Sequence, residues 1–314
     1  MVAEMGFVPV PGGVRSLVWR GEEPMAIACG DPFDRAIVSP SGRFTVVYEE
    51  RGTTALLRDG RRAVRELARS DYHAGHFDFP VALGRLPDGR EVLVHCPEEY
   101  NVLQVEELAT ERRLTAAAAE RAPVDVFHSR LAVGPDGRHL LSAGWIWHPY
   151  GIARVYDLAR ALDDAAALDG GGVLPMESWY SAEVAAACWL DADRVVVGTN
   201  DEVMDDEETE IPELGPRRVG VWSLAARRWL HRSPVEAPVG HLLAAGGRVV
   251  SLYGWPRLID PVTGRVLGEW PDVGVARKDG SFGVVDPTLV AAVSPDGARL
   301  AVGQEDGIAV LELG

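Results

Sequence analysis

The stretch Gly134-Pro135-Asp136-Gly137-Arg138 decides how this 314-residue chain is interpreted, because copies of it recur along the sequence. Its composition is that of a tight turn: proline presets φ, aspartate accepts a hydrogen bond from the nearby backbone, and glycine takes a positive φ. Clear copies are Ser39-Pro40-Ser41-Gly42-Arg43, Leu86-Pro87-Asp88-Gly89-Arg90 and Ser294-Pro295-Asp296-Gly297-Ala298, and weaker copies span residues 190–194 and 244–248. The second turn positions are 40, 87, 135, 191, 245 and 295, so the steps are 47, 48, 56, 54 and 50 residues.

A repeat of this length, with several short strands in each unit, is typical of a β-propeller. Each repeat supplies up to four strand candidates, named a to d from the propeller axis outward. The first repeat reads RAIVS, RFTVVYEE, TTALL and RRAVREL, which have the β-branched content and alternation of strands. In the third repeat the outer segment, residues 159–169, is looser, and we expect a short helix there.

The two ends of the chain are expected to meet in the last blade. The sixth repeat stops after its third strand, and the N-terminal region holds two spare strand candidates, VRSLVW (14–19) and MAIAC (25–29). We expect one of them to supply the missing strand, since this closure removes open sheet edges. The prediction is therefore an all-β fold, with residues 1–314 forming one closed propeller of six four-stranded blades. Seven blades would require residues 14–38 to form a truncated extra blade.

The turns and the ends of the third strands resemble those of WD-repeat and related bacterial propellers. Val155-Tyr156-Asp157-Leu158, Val221-Trp222-Ser223-Leu224 and Val310-Leu311-Glu312-Leu313 stand where a WD repeat carries its Trp-Asp dipeptide. Gly240-His241 is nearest to the Gly-His dipeptide of such repeats, but its own blade carries Ile259-Asp260 in place of Trp-Asp. The resemblance covers almost the whole chain and implies a fold, not an activity.

Composition limits the classes of partner. A formal net charge of −16 and a pI near 4.9 argue against nucleic acid or an anionic membrane as a partner. Cys29, Cys96 and Cys188 lie in apolar strand-like runs without CxxC spacing, so we expect reduced, buried cysteines. There is no signal-peptide pattern and no apolar run of membrane-spanning length, which predicts a cytoplasmic protein. Lys278 is the only lysine, a bias that fits a GC-rich bacterial genome.

The strand order assigns the loops to the two ends of the propeller. The a–b turns lie at one end, whereas the b–c loops and the connections from d to the next a lie at the other. Aromatic, histidine and acidic residues gather in the second set, which is the expected form of a binding face on a rigid scaffold. We predict that this face engages a protein, a peptide or a small ligand. The predicted binding residues are Tyr72, His73, His76, Tyr100, Trp145, Trp147, His148, Tyr150, Trp179, Tyr180 and Trp255.

Three segments of this face admit a structural or a functional interpretation. The H-x-x-H pair in residues 71–78 could cap the next inner strand, contact a ligand or bind a metal, although a metal site needs further ligands. The aromatic loop 145–150 could fill space between blades or stack against a ligand. The acidic segment 201–210 lacks the spacing of a calcium loop, so a solvated insertion competes with a site for a basic partner or a divalent cation.

Two classes of function remain open from the sequence. The first is a non-catalytic binding or scaffold propeller. The second is a metal-dependent enzyme similar to propeller lactonases or lyases, with His95, His128, Asn200 and His241 converging at the mouth of the central channel. No hydrolase elbow, HExxH motif or nucleotide-binding loop supports an enzyme, and no cofactor or metal is expected. The sequence favours binding.

Overall fold

Antiparallel strands make up most of the regular structure in the computed structural model, which describes residues 5–10, 14–115, 121–147, 150–174, 182–201, 214–275 and 290–314. In the first half of the chain the strands are β1 (Met5–Pro9), β2 (Leu17–Arg20), β3 (Glu23–Ala26), β4 (Arg35–Val38), β5 (Phe44–Tyr48), β6 (Thr54–Asp59), β7 (Arg62–Ala68), β8 (Val81–Arg85), β9 (Glu91–His95), β10 (Gln104–Glu107), β11 (Ala132–Val133), β12 (His139–Ser142), β13 (Trp145–Ile146), β14 (Tyr150–Gly151) and β15 (Arg154–Asp157).

The second half of the chain continues the same pattern. Its strands are β16 (Val184–Trp189), β17 (Arg194–Thr199), β18 (Arg218–Ser223), β19 (Arg228–Pro234), β20 (His241–Ala245), β21 (Arg248–Tyr253), β22 (Trp255–Ile259), β23 (Val266–Glu269), β24 (Ala291–Val293), β25 (Arg299–Gln304) and β26 (Gly307–Glu312). The described residues include one α-helix, α1 (Leu158–Asp163), and 3-10 helices at Ala74–His76 and Ala165–Leu168. The helical segment that follows β15 confirms the expectation for residues 159–169.

The sheets form six antiparallel blades of a closed β-propeller, which confirms the predicted fold. Blade 1 is β4–β7, blade 4 is β16–β19 and blade 5 is β20–β23. In blade 2 (β8–β10), the outer position is taken by a short segment that pairs through Arg113 with Glu106. In blade 3 (β11, β12 and β15), the helices follow the third strand, and the hairpin β13–β14 extends from the b–c connection.

The N-terminus completes the last blade, but with a different segment from the one expected. Strand β1 pairs antiparallel with β26, Met5 lying opposite Leu311, and it is the outer strand of blade 6 (β24–β26). The expectation that residues 14–19 or 25–29 fill this place is wrong. Those segments carry β2 and β3, which pair with each other instead. Leu17 of β2 belongs to a buried cluster with Ala301 and Ile308, so β2 packs against the face of blade 6.

The β2–β3 hairpin lies between blades 6 and 1. Trp19 Nε1 donates to the Ala292 carbonyl of β24 at 2.9 Å, and Ser16 Oγ donates to the Ala36 carbonyl of β4 at 3.1 Å. Of residues 14–38, which were considered for a truncated extra blade, β2 and β3 therefore form a two-stranded unit between blades 6 and 1, whereas Arg35–Val38 is β4 of blade 1. Trp189 of blade 4 makes the equivalent bond to the preceding blade, donating to the Ala132 carbonyl at 2.9 Å.

The recurrent turns have the predicted geometry. The aspartate of each clear Pro-Asp-Gly turn accepts a backbone N–H two residues later, as Asp136 does from Arg138 at 2.9 Å. The turn glycines all have positive φ: Gly42 76°, Gly89 90°, Gly137 68° and Gly297 72°. At Gly137 the need for glycine is twofold, since a Cβ atom there would lie 2.1 Å from the Arg85 carbonyl oxygen of the preceding blade. Turns of adjacent blades therefore abut at this end.

The core lies between the blades. The second strand of each blade has at least one completely buried residue, and examples are Val46, Leu93, Leu140, Val196, Val250 and Ala301. The cysteines are free; Cys29 and Cys96 are buried, whereas Cys188 keeps some exposure, so the expectation of full burial fails for it. Burial nevertheless raises the pKa of the Cys188 thiol to about 12. Among the described residues, no helix is long and apolar enough to cross a membrane.

Candidate binding face

The loop between blades 1 and 2 is held by a buried arginine. Arg69 is 6% exposed, and its guanidinium donates to the carbonyl oxygens of Gly52 and Ala74 at 2.7 Å, of Phe77 at 3.1 Å and of Asp78 at 3.2 Å. Burial lowers the pKa of Arg69 to about 10, so the group is still charged at neutral pH. Three of these charge-assisted hydrogen bonds hold residues 74–78, and the fourth ties this loop to Gly52 in the b–c connection of blade 1.

This loop places two rings at the surface, those of the exposed Tyr72 and the half-buried His73. His73 has a left-handed backbone (φ 54°) and immediately precedes the 3-10 helix Ala74–His76. Such a conformation is uncommon for a residue other than glycine, and it persists only where the surroundings enforce it. Here Arg69 holds the residues that follow His73 through the Ala74 and Phe77 carbonyls. Tyr72, beside His73, is 44% exposed.

The two rings belong to a larger group from four connections, which we call the aromatic cluster and which consists of Tyr72, His73, Phe77, Tyr100, Phe127, Trp145 and Trp147. Its base is buried: the rings of Phe127 and Trp145 stack at 4.0 Å with an interplanar angle of 6°. Phe77 meets Phe127 edge-on at 5.4 Å, and Tyr100 stacks on Phe127 at 4.5 Å. Backbone bonds between Phe127 and Trp145, at 2.9 and 3.1 Å, keep the two loops in register.

The outer layer of the cluster is exposed. Trp147 is 46% exposed, and the His73 ring lies edge-on between Trp147 at 4.7 Å and Tyr72 at 4.4 Å. Trp147 also meets the ring of Trp145 at 5.6 Å. Because the base is packed and the neighbouring loops are bonded together, the three outer rings are held in place before any partner arrives. We refer to Tyr72 and Trp147, together with the half-buried His73 ring between them, as the exposed rings.

Carboxylates border the exposed rings. Tyr100 Oη donates to Asp125 Oδ1 at 2.7 Å, and burial together with this carboxylate raises the pKa of Tyr100. Glu99 precedes Tyr100 and also acts electrostatically on its hydroxyl. Asp71 precedes Tyr72, and all three carboxylates are on exposed residues. The surface is therefore apolar at its centre and negatively charged at its border.

The structure brings five of the predicted binding residues into the aromatic cluster, and His76 lies beside them with its ring 5.7 Å from His73. Two others lie elsewhere. Tyr150 is 1% exposed and packs with Val126 and Ile152 between the blades, so it belongs to the core. Trp255, on blade 5, donates its Nε1 to Glu269 Oε2 at 3.0 Å and carries the Arg257 guanidinium 4.1 Å from its ring. His148, Trp179 and Tyr180 lie outside the described residues.

The base of the cluster was not predicted from the sequence. Phe127 contacts all six other rings of the cluster, Phe77 contacts Phe127 and Trp145, and Arg69 positions the loop. None of the three was predicted. Phe127 lies in a connection that was already assigned to this face, and Phe77 directly follows His76. A search for apolar rings beside the exposed ones would have found both. The role of Arg69, at the end of an outer strand, depends on contacts that only the folded chain reveals.

Three of the four residues proposed to converge at the channel mouth, His95, His128 and Asn200, have a local partner. His128 Nδ1 lies 3.0 Å from Ser142 Oγ, and Asn200 Nδ2 donates to Glu183 Oε2. His95 Nε2 lies 3.2 Å from Glu106 Oε1, and burial, with a contribution from nearby Arg130, lowers the pKa of His241 to about 4. In the described part of the chain, no group of three or more His, Cys, Asp or Glu side chains is placed to hold a metal ion.

The acidic segment is mostly outside the described residues. Asp201, its first member, is paired with Arg217, whose Nη2 lies 2.5 Å from Asp201 Oδ2. The hydrogen bonds from Arg217, together with its positive charge, lower the pKa of the Asp201 carboxyl. The one described carboxylate of the segment therefore has a partner within its own blade.

Comparison with known proteins supports the fold alone. No protein-family model matches the chain, and no curated protein matches its sequence. Among solved structures, a chain in the crystal structure of a mitotic checkpoint complex is similar, with a TM-score of 0.54 over 93% of this chain and 78% of that chain. The sequence identity is 14%, so the similarity concerns architecture and not function.

Proposed function

We propose that the protein is a non-catalytic binding propeller that engages a protein or peptide partner through the face carrying the aromatic cluster. The observation that carries the proposal is the layer of exposed rings on a packed aromatic base. Large rings that are held rigid and left exposed contribute much contact area at little cost in conformational entropy. The propeller supplies the rigid support, and the loops supply the surface.

Two further observations support the proposal. The fold is shared with a chain found in a multi-protein assembly, the mitotic checkpoint complex. The opposite end of the propeller carries the short turns, whose polar side chains are used in bonds within the turn itself, as in the 3.0 Å bond that Asp88 accepts from the Arg90 backbone. The two ends therefore differ in the way expected if one end supports the fold and the other binds.

Further proposals concern the setting of the protein. We propose that residues 1–314 form one propeller domain, because β1 and β26 join the two ends of the chain in one blade. We also propose a cytoplasmic location, which the free cysteines support. The turn pattern supports a distant relationship to WD-repeat-like bacterial propellers, which we propose as well.

The test is an affinity capture with matched variants. Wild-type protein, the double variant Tyr72→Ala/Trp147→Ala and the control Val262→Ala/Leu267→Ala are immobilised and exposed to lysate of the source cell. The control removes two exposed apolar side chains, 44% and 54% accessible, from blade 5. We expect specific proteins, identified by mass spectrometry, to be retained by wild type and control and lost from the first variant. Retention of the same proteins by all three would refute the proposed face.

A further inference from the structure

We propose that the exposed rings recognise a positively charged side chain, arginine or lysine, presented by a basic segment of the partner protein. This inference rests on the proposed function and specifies the chemistry of the partner. It follows from the combination of π-faces, border carboxylates and net charge, none of which would be sufficient alone.

The rings provide the first part of the recognition. Tyr72 and Trp147 are each about half accessible, so the faces or edges of their rings are open to a partner. Tryptophan and tyrosine faces attract a guanidinium or ammonium group, and Trp is the stronger of the two. The same type of contact occurs within this protein, where Arg257 lies 4.1 Å from the Trp255 ring centroid and Arg299 lies 4.9 Å from that of Trp19.

The carboxylates provide the second part. Asp71, Glu99 and Asp125 form no ion pair with any described residue, whereas the adjacent Glu98 is paired with Arg113 at 2.7 Å. Asp125 accepts a hydrogen bond from the Tyr100 hydroxyl, which is a neutral donor and not a cationic partner. The cation beneath the cluster, Arg69, is buried and uses its donors on backbone carbonyls. The border thus has unbalanced negative charge beside apolar rings.

The net charge of the whole chain provides the third part. At −16, the protein attracts basic segments over a Debye length of about 8–10 Å and repels acidic ones. Long-range attraction brings a basic segment to the surface, and the exposed rings with their carboxylate border select where it docks. An apolar segment would use the rings but leave the carboxylates without partners.

The test uses defined peptides and not a lysate. A fluorescein-labelled peptide of repeated Gly-Ser-Arg units is compared with peptides in which citrulline, lysine or leucine replaces arginine. Binding is followed by fluorescence anisotropy at about 50 and about 300 mM NaCl. We expect the arginine and lysine peptides to bind, with weaker binding at the higher salt concentration, and the citrulline and leucine peptides to bind much less.

Variants separate local recognition from general attraction. Trp147→Ala, and separately Tyr72→Ala, should weaken binding of the arginine peptide about fivefold or more. Asp71→Asn/Glu99→Gln should also weaken it, whereas Glu236→Gln/Asp272→Asn, which removes the same charge from exposed positions elsewhere, should not. Thermal melting of every variant establishes that the ring substitutions leave the protein folded.

Several results would overturn the inference. Equal binding of leucine and arginine peptides would mean that the exposed rings select apolar groups. Equal weakening by the two charge variants would mean that only net charge matters. Absence of arginine-peptide binding, while captured proteins still depend on Tyr72 and Trp147, would refute the cationic partner and leave the proposed function standing. If capture is also independent of these rings, both proposals fail.

Discussion

Acid should weaken this protein through one buried histidine. His128 is 1% exposed, and its Nδ1 lies 3.0 Å from Ser142 Oγ in the connection that also carries Phe127. Burial, with a contribution from the Arg154 charge, lowers the pKa of His128 from 6.5 to about 3. In the unfolded chain the imidazole regains its ordinary pKa of about 6.5. Between these two values the unfolded state therefore binds one more proton than the folded state.

The direction and size of the change in the free energy of unfolding follow from proton linkage. The contribution to stability is complete above the unfolded pKa and is lost as pH falls from about 6.5 towards 3, at roughly 1.4 kcal/mol per pH unit. From pH 7 to pH 4.5, His128 alone should lower the free energy of unfolding by about 2.5 kcal/mol. Urea unfolding followed by tryptophan fluorescence across this range measures the change.

Variants isolate the contribution of the imidazole. His128→Gln removes the titrating group, so its stability should fall less steeply between pH 7 and pH 4.5 than that of wild type. Ser142→Ala removes the hydrogen-bond partner but keeps the imidazole, so it should lower stability by about 1 kcal/mol and keep the wild-type slope. If His128→Gln shows the same dependence on pH as wild type, the assignment to this histidine is refuted.

Three other predictions concern the fold. Deleting residues 1–10 removes β1 and opens the edge of β26, so light scattering should reveal aggregation and calorimetry a lower Tm; a deletion that melts like the full chain would refute the closure. Gly137→Ala should destabilise by more than Gly89→Ala in denaturant titrations, because both have positive φ but only Gly137 abuts the Arg85 carbonyl; equal losses would contradict this contact. Cys96, buried and with a raised pKa, should react with a thiol reagent only on unfolding, and rapid labelling in the native protein would contradict its burial.

The fold was largely predictable because its signal is local and repeated. A turn such as Gly134–Arg138 requires particular residue types wherever it occurs, so its spacing along the chain reports the length of a blade without any knowledge of contacts. The N-terminal closure was less predictable. The strand candidates at 14–19 and 25–29 and the segment at Met5–Pro9 are all compatible with an edge strand. Which of them pairs with β26 depends on tertiary packing, because β2 and β3 are used between blades 6 and 1 and Met5–Pro9 takes the outer edge.

The candidate site, like the fold, was only partly predictable from the sequence. The sequence by itself assigned Tyr72, Tyr100 and Trp147 to one end of the propeller, because strand order determines the end at which each loop emerges. Only the tertiary structure decided that Phe127 forms their base, that Tyr150 is in the core and that Trp255 lies on another blade. Exposure and ring contacts depend on how loops from different blades pack against one another. Such packing joins residues that are distant in the chain, and no local pattern records it.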